Sequence, residues 1–285
     1  MAYQGLADPR WAEMNRRDAV DKHWQWKMPI NFYGRIVDQS GQAVGEARVD
    51  FGWNDLSGEG TSKSQVITDR QGCFTLIGQA GKILQVDVSK DGYSKLKSER
   101  LRSFEYADFS QKHYHEPDPS NPVLFHLVKK GAGEALLTGN VEVNAPANGT
   151  PVRVDLLNGG RVAPEGQLEI SAVTSTLEYP PRFFDWRATI SVTGGGLVEQ
   201  TDELGFAAPA EGYVPQVQFH FPAGAPDWKR SVKKSYYVRF GNPAKYGRVQ
   251  IDLNGGKQLV FVRFAVNPTG SQSLEPSDAA QASAR

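Results

Sequence analysis

The chain has 285 residues, 39% hydrophobic and 22% charged, which is the composition of a globular protein and excludes a disordered one. Lys and Arg total 32 and Asp and Glu total 32, so the formal net charge is zero and gives no general attraction to nucleic acid or to an anionic membrane. Length predicts about two domains, no run of about 18 apolar residues is present to form a transmembrane helix, and the opening MAYQGLADPRW carries no visible signal peptide.

Residues 8–26 predict the one convincing helix. Asp8 can cap it, Pro9 suits its first turn, and Trp11, Met14 and Ala19 make a partial apolar stripe. Pro29 is expected to end it, with Trp24 and Trp26 as buried anchors near that end. From 30 to about 130 the text alternates with period two: INFYGRIVD, ARVDFGW, SQVITD, CFTLIG, ILQVDVSKDGY and VLFHLVK. Leu84, Val86 and Val88 against Gln85, Asp87 and Ser89 predict one buried and one wet face. Cys73, the single cysteine, starts one of these strands and reads as a buried structural thiol. Residues 95–122 break the alternation and are too long for a plain loop, so they predict function or local structure.

A linker or turn at 129–139 leads to a second set of strands: GNVEVN, TPVRVDLLNG, LEISAVTST, FDWRATISVTG, YVPQVQFHF, SYYVRFG, YGRVQIDLN and QLVFVRFAVNP. The triplet Gly194–Gly196 reads as a turn or bulge, because no helix follows to make a phosphate cradle. Residues 269–285 are small and polar and are expected to be a disordered tail. The expected architecture is all-β: helix and leader at 1–29, a first β-sandwich at 30–130 and a second at 136–268.

Three pieces in the first half carry a resemblance: GRIVDQSGQAVGEARV at 34–49, TDRQGCFTL at 68–76 and VDVSKDGY at 86–93. In order and spacing they resemble the carboxypeptidase regulatory-like domain, a transthyretin-like or prealbumin-like β-sandwich. Within that pattern Asp38–Gly41 and Asp69–Gly72 are tight turns, with Asp bonding its own backbone and Gly accepting positive φ. Asp91-Gly92-Tyr93 turns a tyrosine back toward the core. The resemblance implies an accessory module of bacterial secreted or surface proteins, with no catalytic residue and no cofactor to carry over. The second half resembles only uncharacterised bacterial secreted proteins.

Three constellations could carry chemistry. His113 and His115 have the i, i+2 spacing that places two imidazoles on one strand face, a workable metal-ligand pair. The related intradiol ring-cleaving dioxygenases hold iron with such a pair and two tyrosines, for which Tyr93, Tyr106 and Tyr114 are candidates here. Trp53, Trp186 and Trp228 sit near turns among polar residues, where a ring can stack on a sugar or cap an open end of a sandwich. The carboxylate pairs Asp55/Glu59, Glu116/Asp118 and Asp202/Glu203, and the basic stretch DWKRSVKK at 227–234, read as solvated loop charge. The sequence therefore reads as a non-catalytic binding or structural protein, for which the resemblance implies a setting in the bacterial envelope or exterior. Carbohydrate or another protein is the expected partner, through Trp53, Trp186 and Trp228. The alternative is a metal-dependent enzyme of the intradiol type using His113 and His115.

Overall fold

The computed structural model describes residues 9–109, 114–175, 182–257 and 259–277. The chain is all-β with one short N-terminal helix, and it divides into two compact units, Met1–Lys130 and Gly131–Arg285.

The first unit begins with α1 (Pro9–Val20) and a 3₁₀ turn at Trp24–Lys27. Its strands are β1 (Pro29–Val37), β2 (Arg48–Asn54), β3 (Thr61–Ile67), β4 (Cys73–Ala80), β5 (Ile83–Ser89), β6 (Tyr93–Lys95), β7 (Arg102–Glu105) and β8 (Val123–Lys129). They form two four-stranded sheets, in the orders β4-β1-β8-β6 and β3-β2-β5-β7. Pairing is antiparallel except for β1 with β8. Alternate residues of each strand meet in one core, where Phe32 contacts Phe51, Phe74, Phe104 and Phe125. Leu84, Val86 and Val88 are fully buried, as their alternation requires.

The helix is shorter than its sequence pattern. It stops at Val20, because Asp21 accepts the backbone N–H of His23 at 2.9 Å and the ammonium of Lys27 at 2.7 Å, a local bonding scheme that competes with a further helical turn. The 3₁₀ turn buries Trp24, whose indole N–H donates to Asp18 at 2.6 Å, while the Arg17 guanidinium lies 5.2 Å from its ring centre. Asp8 lies outside the described residues. The irregular stretch after 95 carries local structure of its own: a 3₁₀ turn at Lys97–Glu99 and the edge strand β7.

The second unit has β9 (Leu137–Asn144), β10 (Val152–Val154), β11 (Leu168–Thr174), β12 (Trp186–Val192), β13 (Gly195–Glu199), β14 (Gln216–Phe221), β15 (Ser231–Phe240), β16 (Lys245–Asn254) and β17 (Leu259–Asn267). A four-stranded sheet, β10-β11-β12-β14, faces a five-stranded one, β13-β15-β16-β17-β9, across a core that includes Ile170, Ile190, Val238, Ile251 and Val262. Two readings change here. The glycine triplet is a turn only at Gly194, whose φ is +65°; Gly195 and Gly196 open β13, and there the chain passes from one sheet to the other. The segment expected as tail from 269 is anchored as far as 277: Leu274 is fully buried, its N–H donates to Phe206 O at 2.7 Å, and the N–H of Ser277 donates to Glu134 O at 3.0 Å. Residues 278–285 lie outside the described residues.

Candidate binding groove

A β-strand with one face on a core must turn its other face outward. In β11, β12 and β14 the inward set is Leu168 and Ile170, then Trp186, Ala188 and Ile190, then Val217, Phe219 and Phe221. The outward set is polar. The antiparallel register aligns it in rows across the sheet: Ser171 beside Thr189 beside Gln218, and Val173 beside Arg187 beside His220. The turn at Asn148 and Gly149 closes one side, because Gly149 donates its N–H to Ala172 O at 2.9 Å and Asn148 bridges to Val173. Together these residues wall an open groove of about 490 Å³, a volume in the range of small-molecule sites.

Charge along this face is uneven. Arg153 on β10 is neutralised by Glu169 at 2.8 Å and also donates to Pro164 O at 2.9 Å. Arg187, at the other end, makes no ion pair among the described residues. The side chains of Ser171, Thr189, Gln218 and His220 likewise make no hydrogen bond among the described residues. The groove therefore offers hydroxyl, amide, imidazole and guanidinium groups with no side-chain partner among the described residues.

The sequence-derived candidates fall elsewhere. Trp53 is 7% exposed and Trp186 2%, so each ring faces a core and offers no open face to a sugar. Trp186 stacks on Phe221 at 4.9 Å and donates to Lys229 O at 2.7 Å. Trp228 is half-buried, donates to Phe184 O at 2.8 Å and packs edge-on against Phe183 and Phe184. Trp186 and Trp228 thus belong to one aromatic cap at the end of the second sandwich. Trp53 lies in the other unit, beside a smaller hollow of about 260 Å³ lined also by Gly52, Lys63, Ile83 and Gln85.

Of the His-x-His pair, His113 lies outside the described residues. His115 points at aromatic rings, with centroids of Phe32, Phe104 and Tyr106 at 5.1, 5.3 and 5.5 Å. Its Nε2 is buried with no hydrogen-bond partner among the described residues, and burial lowers its pKa from the ordinary 6.5. Tyr106 donates to Asn31 O at 2.7 Å, and burial pushes its phenol pKa up. Tyr114 packs against Phe109, and Tyr93 borders the core. Among the described residues no three His, Cys, Asp or Glu side chains converge on a metal-sized space.

The carboxylates differ among themselves. Asp55 accepts the N–H of Ser57 at 2.9 Å in a local turn. Asp202, expected as solvated charge, instead accepts from the Tyr237 hydroxyl and the Gly205 N–H, beside Arg248, which donates to Leu204 O at 2.6 Å. This polar knot pins the 200–205 loop to the outside of the five-stranded sheet, next to a small cluster of Ala208, Tyr237 and Leu274. In the basic stretch, Lys234 pairs with Glu199. Cys73 is partly exposed rather than buried.

The groove residues were missed in the sequence because each looks like ordinary strand polarity. The signal that could have found them is the alternation in SAV, RAT and QFH, but alignment of those strands is set by register, which the sequence does not print.

Fold and site together define a class: an all-β chain of two sandwich units, with a polar groove on the outer face of one sheet. No family model matches the chain, and no curated protein matches it. Among solved structures it is similar to 3-chlorocatechol 1,2-dioxygenase from Rhodococcus opacus 1CP, at 15% identity and a TM-score of 0.28, over 36% of this chain and 60% of that one. It is also similar to catechol 1,2-dioxygenase from Acinetobacter sp. ADP1, solved inhibited by bound mercury, at 15% identity and a TM-score of 0.25, over 36% of this chain and 53% of that one. The chain thus spans little more than half the length of either. Among the described residues no helix is long and apolar enough to cross a membrane.

Proposed function

We propose that this is a non-catalytic binding protein that reads a carbohydrate through the outer face of β11, β12 and β14. The observation that carries the reading is the groove of about 490 Å³ walled by Asn148, Ser171, Arg187, Thr189, Gln218 and His220. Sugar hydroxyls are both donors and acceptors, and these side chains supply both. Among the described residues the walls contain no carboxylate of the kind a glycosidase uses in pairs. Ser171 and His220 are separated by the whole of β12, about 10 Å, which is too far for a nucleophile and its base. The resemblance of residues 30–130 to the carboxypeptidase regulatory-like domain supports a setting in the bacterial envelope or exterior.

The test is a glycan array probed with the native chain and with Thr189→Trp, which fills the groove at an outward strand position where an aromatic ring is well accepted. The expected result is a glycan class retained by the native chain and lost by the variant. An array with no retained glycan sinks the carbohydrate reading. Equal retention by both proteins moves the site away from this face.

A further inference from the structure

We propose that the ligand of this groove is an acidic oligosaccharide, held by its carboxylate on Arg187; this rests on the binding reading above. Arg153 and Glu169 pair at 2.8 Å, whereas Arg187 makes no ion pair among the described residues. A guanidinium presents a planar fork of N–H donors that matches a carboxylate with two parallel bonds. Arg187 stands on β12, between Val173 of β11 and His220 of β14, so it lies on the central strand of the three that wall the groove.

The neighbours fit the rest of such a ligand. Thr189 is two residues along β12 from Arg187, on the same face, with Ser171 on one side and Gln218 on the other. An acid group on Arg187 therefore places adjoining ring hydroxyls over a hydroxyl–hydroxyl–amide row. His220 is the cross-strand neighbour of Arg187 on β14 and adds an imidazole to the same row. An acidic peptide would use Arg187 too. Its side-chain carboxylates only accept, whereas ring hydroxyls donate and accept, as the Ser171–Thr189–Gln218 row does.

The experiment is calorimetric titration of the full chain with tetragalacturonate, with its neutral methyl ester and with a tetraglutamate peptide, repeated on Arg187→Gln and Thr189→Trp. Gln at an exposed strand position retains hydrogen bonding and removes the charge. The acid is expected to bind at least about tenfold more tightly than the ester, because a hydrogen bond to a charged group is the stronger kind. Arg187→Gln should bring the acid down to the ester's affinity, and added salt should weaken the acid alone. Equal binding of acid and ester, both lost in Thr189→Trp, overturns the acidic ligand and leaves the groove as a neutral-sugar site. Binding of tetraglutamate in preference to the sugar overturns it in favour of an acidic peptide. No binding of any probe at millimolar concentration overturns both the acid and the carbohydrate readings.

Discussion

Gly195 and Gly52 both lie within strands, yet they meet opposite surroundings. A Cβ at Gly195 would stand 1.8 Å from the carbonyl oxygen of Arg239 on the paired strand, and backbone cannot swing aside as a side chain can. A Cβ at Gly52 would meet nothing within 4 Å, because it points into the open hollow over β2. Gly195→Ala is expected to cost about 3 kcal/mol through overpacking. Gly52→Ala is expected to be neutral or slightly stabilising, since it reduces the freedom of the unfolded chain. Urea midpoints at constant slope measure both. Comparable midpoints for the two variants would contradict the packing drawn around Gly195. The aspartates of the first unit repeat one device. Asp38 accepts from the N–H groups of Ser40 and Gln42 at 2.8 and 3.0 Å, and Asp69 from those of Gln71 and Cys73 at 2.9 and 2.8 Å. Each is followed by a glycine in the left-handed region, Gly41 at φ +76° and Gly72 at φ +75°. These turns were legible in the sequence because their chemistry is local: a short carboxylate, two nearby N–H groups and a residue without a Cβ.

At the scale of elements, every strand written as clear alternation formed where it was expected, because a period of two specifies a half-buried face without reference to distant partners. Helix length and the glycine triplet were less legible. The helix end depends on Asp21 bonding forward to His23 and Lys27, and β13 depends on Phe240 lying opposite Gly195 and Arg239 opposite Gly196. The segment leading into Pro117 is held in another way. His115 donates its backbone N–H to Glu105 O at 2.8 Å and packs its ring among Phe32, Phe104 and Tyr106. Desolvation there favours neutral imidazole and lowers its pKa below 6.5. The unfolded chain thus binds the proton more readily than the folded one. The stability this ring contributes is complete above about pH 6.5, falls as pH drops toward the lowered folded value, and levels off below it. His115→Phe keeps an apolar ring and removes the titration. The unfolding free energy of the native chain relative to that of the variant should therefore fall as pH drops from 7 toward 5, read from urea curves at each pH. A difference that stays flat over that range would contradict the buried, neutral state of His115.

For the whole molecule, the central feature is that each unit has its own core: one built around Phe32 and Phe125, the other around Ile190 and Val262. The segment 131–285 expressed alone is expected to unfold in one cooperative urea transition. A broad, non-cooperative loss of signal would contradict an independent core. The division into two β units followed from length and pattern, but the groove did not. Ser171, Arg187 and Gln218 are scattered over nearly fifty positions of sequence and become neighbours only through strand register. The indoles that stood out in the sequence proved to be packing residues, because a large apolar ring is drawn into a core wherever its N–H finds a carbonyl, as Trp186 and Trp228 show. The central claim is that the outer face of β11, β12 and β14 is the recognition surface. Backbone amide chemical-shift mapping of the full chain during titration with tetragalacturonate tests it most directly. The largest shifts are expected to fall on residues 148–149, 171–173, 187–189 and 218–220. Shifts centred instead on 52–54, 61–63 and 83–85, around the hollow over Gly52, would contradict it.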